Sequence, residues 1–295
     1  MKILWIGLVL LLPATAQAGS PEQDYLAARD AHIRKLAVFS KPGADMEKSI
    51  KPHEAAVADL EKYMKRVVGA AAPAVPGIKP TPKLNNDTLL KGDQGFGMLD
   101  GLVYSSEDYK TRVIVTTESL FKAWLPVHRK WWRDNNVPQD PAKALTHVSF
   151  YTQAVDSGAA LSKYAELPIR KPAAASIAYA MLGGWAQDDG PWEPDELVIS
   201  VVQGGKLYVV RVPASTKIGP FPACKAVWDD AERKSNEAFE RTQSKPKAKA
   251  PDGSKIREDG ATAFRSCFAE RAPKDKGFPD LVRQAQAIAD ALPSR

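Results

Sequence analysis

The chain of 295 residues carries 41 Lys and Arg against 35 Asp and Glu, a formal net charge of +6. The excess is mild and spread along the chain. It favours solubility and weak attraction to anionic envelope polymers, and it argues against nucleic acid as a partner. Beyond the first dozen residues no run approaches about 18 consecutive apolar residues, so no stable membrane insertion is expected.

At the N-terminus, Lys2 precedes an apolar run from Ile3 to Leu12, Pro13 breaks it, and Ala16-Gln17-Ala18 matches a small-x-small cleavage site. This is the pattern of a secretory signal peptide over residues 1–18, too short to span a bilayer. Gly19 follows where a lipid-anchored protein has cysteine. The expected address is therefore periplasmic or secreted.

Residues 19–69 read as a helical N-terminal segment. Leu26, Ile33, Leu36 and Ala37 make one apolar stripe, and Ala56, Leu60, Tyr63, Met64 and Val67 make another. Pro52 divides the two and is expected to open the second helix in its first turn. Residues 70–83, AAAPAVPGIKPTPK, hold four prolines. They read as an extended linker covering about 40 Å at about 3.1 Å per residue.

Residues 84–222 read as an α+β core. The glycines of GDQGFGMLDG, residues 92–101, fit neither the dinucleotide fingerprint nor a P-loop, and turn chemistry accounts for them. Strand-forming runs lie at 98–105, 111–116 and 176–186. The clearest signal is ELVISVVQGGKLYVVRV, residues 196–212. Its two β-rich runs meet at Gly204-Gly205, a two-residue hairpin turn. That turn sets Val201 opposite Tyr208, Ile199 opposite Val210 and Leu197 opposite Val212. The other face carries Val198, Ser200, Val202, Leu207, Val209 and Arg211. Both faces are largely apolar, so the hairpin belongs inside a sheet covered on both sides. Residues 147–155, HVSFYTQAV, fit a half-buried strand on alternate positions and also a helix. Their β-branched and aromatic content favours strand.

Between these runs lies WLPVHRKWWRDNN, residues 124–136. Placed on one helix over 118–134, Leu120, Phe121, Trp124, Val127, His128, Trp131 and Trp132 share an arc of about 140°. Arg129, Lys130 and Arg133 point the other way. A polyanion surface interleaves basic and aromatic groups on one face, whereas here they are segregated as in a core-facing helix. Pro126 interrupts the hydrogen-bond ladder, and His128 on the apolar face needs a partner or a ligand.

Residues 223–295 read as a helical C-terminal region, with helices at 223–241, 260–271 and 278–291 and a flexible basic loop at 242–258. Phe264, Cys267 and Phe268 share a helix face, which turns Cys267 toward the helix that holds Cys224. In an exported chain the two cysteines are expected to form a disulfide, worth about 4 kcal/mol in the chain-entropy model.

Catalytic signatures are sparse. Ser119 to Lys122 matches the S-x-x-K of serine acyl-transferases, but Ser244 to Lys247 matches equally and no partner motif follows. The four histidines have no metal-ligand spacing, so neither a metal nor another cofactor is expected. His147, Ser149, Tyr151 and Gln153 would share one polar strand face. Residues 185–196, WAQDDGPWEPDE, set five carboxylates between and beside Trp185 and Trp192 without a calcium-loop register; an acidic loop between strands is the expectation.

The expected fold is therefore α+β. A mostly antiparallel sheet of about five or six strands is packed by helices, with a helical N-terminal arm and a disulfide-linked helical C-terminal region. The expected function is an exported, non-catalytic binding module for an envelope component or a protein partner. Its candidate binding residues are Trp124, His128, His147, Tyr151, Trp185 and Trp192. The alternative is an envelope hydrolase combining His128 or His147 with a carboxylate such as Glu118 or Asp188.

Overall fold

The hairpin that the sequence marks most clearly is the middle of the fold. A computed structural model of the protein describes residues 19–40, 45, 47–69, 71–85, 99–127, 143–144, 160–186, 194–244 and 252–293. In it, β6 (Glu196–Gln203) and β7 (Lys206–Pro213) pair with Val201 opposite Tyr208, Ile199 opposite Val210 and Leu197 opposite Val212. Gly204 and Gly205 turn the chain with φ of 57° and 73°. Two successive positive φ values suit the right-handed twist of the flanking strands, and glycine adopts them without a Cβ penalty.

Five further strands complete one antiparallel sheet in the order β1-β2-β3-β7-β6-β5-β4. They are β1 (Lys83–Leu84), β2 (Leu102–Ser105), β3 (Arg112–Thr117), β4 (Ala160–Glu166) and β5 (Ala175–Ala186). The α+β class stands, with seven strands where five or six were expected. The strands beyond expectation are the weakest as sequence. β1 is two residues long at the end of the proline-rich stretch, and β4, ALSKYAE, has no β-branched residue. Each is held by a neighbour's ladder rather than by its own propensity. Residues 147–155 lie outside the described residues.

Among the described residues there are six helices. They are α1 (Pro21–Leu36), α2 (Glu47–Val68), α3 (Glu118–Val127), α4 (Pro222–Ser244), α5 (Gly253–Arg271) and α6 (Phe278–Ala291). α1 opens on a capping box, in which Gln23 N–H donates to Ser20 Oγ at 3.2 Å and Ser20 N–H to Gln23 Oε1 at 3.0 Å. α2 starts at Glu47, where Asp45 Oδ1 accepts from the Glu47 and Lys48 amides. Pro52 therefore lies inside the helix and not in its first turn; the aspartate cap, and not the proline, sets the start. α4 runs to Ser244 and α5 begins behind the Asp252 cap, so both helices reach into the 242–258 stretch.

The sheet has two covered faces. On one, Leu197, Ile199, Val201, Tyr208, Val210 and Val212 join a core built with α1, α2, α5 and α6, which supply residues such as Tyr25, Leu60, Met64, Phe268 and Leu281. Residues 71–84 run beside it, burying Val75 and Leu84. Glutamines fasten α6: Gln286 exchanges hydrogen bonds with the backbone of Arg170, and Gln284 bonds Ser215 N–H and Pro213 C=O. On the other face, Ile114, Met181, Val198, Val202, Leu207 and Val209 pack with Leu99, Phe121 of α3 and Ala144.

Cys224 and Cys267 are disulfide-bonded, 43 residues apart in sequence and 5.5 Å apart at Cα, joining α4 to α5. The same two helices meet at Gly260, where an added Cβ would stand 2.1 Å from the Ala231 Cβ. Two outcomes follow. Replacing both cysteines by serine lowers unfolding stability by about 2–4 kcal/mol in urea titration, and an unchanged midpoint would contradict the staple. Gly260→Ala gains up to about 1 kcal/mol of helix propensity, yet the clash costs about 1–3 kcal/mol. Its melting temperature should fall, and a rise would mean that the helices separate freely there.

Candidate functional site

The second face of the sheet, apolar in most of its rows, carries charge at one end of its central strands. Strand alternation puts Glu196, Val198, Ser200 and Val202 of β6 on this face with Leu207, Val209 and Arg211 of β7. Arg211 Nη2 donates to Glu196 Oε2, diagonally across the β6–β7 ladder. Their side chains are only 3% and 11% exposed. Arg112 of β3 is the cross-strand partner of Arg211, so two guanidinium-bearing positions stand side by side with one buried carboxylate.

Burial dominates the electrostatics of this pair. It raises the Glu196 carboxyl above its ordinary value, and Arg211 offsets that only in part. It lowers the Arg211 guanidinium to about 10 against the pull of Glu196. Both groups are thus held in their charged forms less well than in water, so desolvation exceeds the attraction between them.

Hydroxyls extend the polar strip. Ser200 lies opposite Tyr179 of β5 and is fully buried. Its Oγ, like Thr116 Oγ1 on β3, has no hydrogen-bond partner among the described residues. Burial also raises the Tyr179 hydroxyl, with the Glu166 carboxylate adding to the shift. Buried hydroxyls are nearly always paired, so these positions need a reason beyond packing.

A second constellation anchors α1. The Tyr25 hydroxyl donates to Asp100 Oδ1 at 2.6 Å, Arg29 Nη1 donates to Asp100 Oδ2 at a short distance, and Tyr25 is fully buried. Burial, and then Asp100, raise the Tyr25 hydroxyl. One turn earlier, Glu22 accepts from the hydroxyls of Ser119 at 2.6 Å and Thr117 at 3.1 Å. Thr117 also accepts from Leu120 N–H, which caps α3. These contacts dock the helix through groups that satisfy one another, and they are structural.

Of the candidate residues named from sequence, Trp124 lies on α3, and Trp185 lies on β5 opposite Leu161. His128, His147, Tyr151 and Trp192 lie outside the described residues, as does Asp188. Glu118 is engaged by Lys122 at 2.7 Å, while Ser119 donates to Glu22. The S-x-x-K pair is thus divided between two carboxylates. Glu196, read from sequence both as the end of an acidic loop and as the first residue of the hairpin run, is the first residue of β6. Its signal was present on the partner strand, since Arg211 is a lone arginine on an apolar strand face. His32, unassigned from sequence, pairs with Asp59 at 3.0 Å between α1 and α2.

Among the described residues no three of His, Cys, Asp and Glu gather as a metal ion requires, and no helix is long and apolar enough to cross a membrane. No family model, no curated protein and no solved structure matches the chain.

The buried pair makes a testable statement. Arg211→Met leaves Glu196 buried without its cation and destabilises by about 3–5 kcal/mol, whereas Arg211→Met with Glu196→Leu is neutral or stabilising. Urea unfolding of both variants checks this, and a double variant weaker than the single one overturns it. Because the folded-state value of Glu196 is raised, its stabilising share is complete below the unfolded carboxylate value and is lost as pH rises. The stability of Glu196→Gln relative to the parent should therefore climb from about pH 4 upward.

Proposed function

We propose that this protein is an exported binding module of the cell envelope, periplasmic or secreted once residues 1–18 are removed, and that it engages its ligand at the Glu196–Arg211 end of the second sheet face. The observation that carries the reading is the Glu196–Arg211 pair beside the buried Ser200 hydroxyl, which has no partner among the described residues. A fold needing only stability is served as well or better by leucine and methionine at such positions. Charges and hydroxyls kept there at a cost to the fold mark a place where polar groups of a ligand or partner are recognised. The Cys224–Cys267 disulfide supports export, because such bonds persist in oxidising compartments.

The hydrolase reading, with His128 or His147 as base, draws on Glu118 or Asp188. The engagement of Glu118 by Lys122 favours the binding reading over it. Two measurements decide. Osmotic-shock fractionation with non-reducing mass spectrometry should find the protein outside the cytoplasm, shortened by residues 1–18 and with both thiols blocked. Full-length cytoplasmic protein with free thiols would end the export reading. Immobilised protein should enrich one component from a native envelope extract, and the Arg211→Met/Glu196→Leu variant, still folded, should not. Equal capture by both removes the sheet face as the site. Turnover of ester or cell-wall substrates that disappears in His128→Ala or His147→Ala would establish the hydrolase instead.

A further inference from the structure

We propose that a separate cavity, between the β7–α4 connection and the turn joining α5 to α6, binds an acidic sugar: a pyranose bearing a carboxylate or a phosphate. The cavity holds about 400 Å³ and is lined by Phe221, Arg271, Lys274, Asp275 and Lys276. That volume falls within the span of about 300–1,000 Å³ typical of small-molecule sites.

Three of the five lining residues are cations, and they are poorly neutralised. Arg271 and Lys276 form no ion pair among the described residues, and Lys274 meets only Glu270, at 3.8 Å with both side chains largely exposed. Asp275 adds a negative charge, but both of its oxygens are committed to the frame. Oδ2 accepts from Gly219 N–H at 3.1 Å and Oδ1 from Gly277 N–H at 2.8 Å, which ties the two walls together. The Phe221 ring is fixed in turn by an edge contact with Phe268, at 5.0 Å between centroids.

The C-terminal end of a helix dipole attracts cations, and this accounts for Arg271 in the last turn of α5. It does not account for Lys276 beyond the following turn, nor for a rigid aromatic wall. An arginine fork with two lysines matches a carboxylate or phosphate. A flat ring matches the C–H face of a pyranose and offers nothing to a bare inorganic anion. The site shares no residue with the sheet face and stands or falls separately from the function proposed above.

The test is an amide NMR titration of the intact protein with glucuronate, glucose 6-phosphate, glucose and inorganic phosphate. One or both acidic sugars should give saturable shifts at Phe221, Arg271 and Lys276, with glucose and inorganic phosphate at least tenfold weaker. Glucuronate alone would identify a carboxylate ligand, and glucose 6-phosphate alone a phosphorylated one. Arg271→Gln with Lys276→Gln, both at exposed positions, should weaken the acidic sugar tenfold or more with the melting temperature unchanged. Phe221→Leu should weaken the acidic sugars selectively and leave the residual inorganic phosphate response as it was. No saturation, equal responses to all four compounds, or full binding by the double variant overturns the proposal.

Discussion

A hairpin with no side to give to water governs this fold. Leu197, Ile199, Val201, Tyr208, Val210 and Val212 are buried on one face of β6–β7, and Val198, Val202, Leu207 and Val209 are buried on the other. At about 25 cal/mol per Å² of apolar surface, leaving either face wet would forfeit an amount comparable with a domain's whole net stability. The hairpin must therefore sit in the middle of a sheet, with strands on both edges and cover on both faces. The seven-strand order places β3 on one side of it and β5 on the other. Weak strands such as β1 and β4 are recruited at the margins because a strong centre supplies a ladder to join.

The same asymmetry explains what was legible in the sequence. Where a side chain's partner is local or the pattern is long, the reading held: the hairpin register, the helix over 278–291 and the inward face of Cys267 all follow from period and turn chemistry. Where a partner comes from far along the chain, period says nothing. The Tyr25–Asp100 bond spans 75 residues and the Glu22–Ser119 bond spans 97. Glu196 and Arg211 are 15 apart, and only the hairpin register reveals that they meet. Of the candidate residues, His128, His147, Tyr151 and Trp192 lie outside the described residues, and what can be read structurally is the sheet.

α1 shows how a stripe reading can find a helix and miss what docks it. Its apolar residues Leu26 and Ile33 are only partly buried against the core. The deepest residue is Tyr25, and it is held by a carboxylate that Arg29 also grips. This constellation is closed: both Asp100 oxygens have donors, and Glu22 gathers the two hydroxyls beside α3. Closed polar networks rigidify a packed interface because every member would lose a partner on opening.

The strip on the second sheet face is the contrasting case. Its charges are held against their solvation preference, and the Ser200 and Thr116 hydroxyls on the same face have no partner among the described residues. A network that only served packing would be expected to end like the one at Asp100, with donors and acceptors matched. Groups that are already desolvated and fixed by strands are preorganised, so under the function proposed above a ligand that completes them would meet little reorganisation cost. The difference between the two networks, the first matched throughout and the second with two hydroxyls unpaired among the described residues, is what supports the recognition role proposed above for the second.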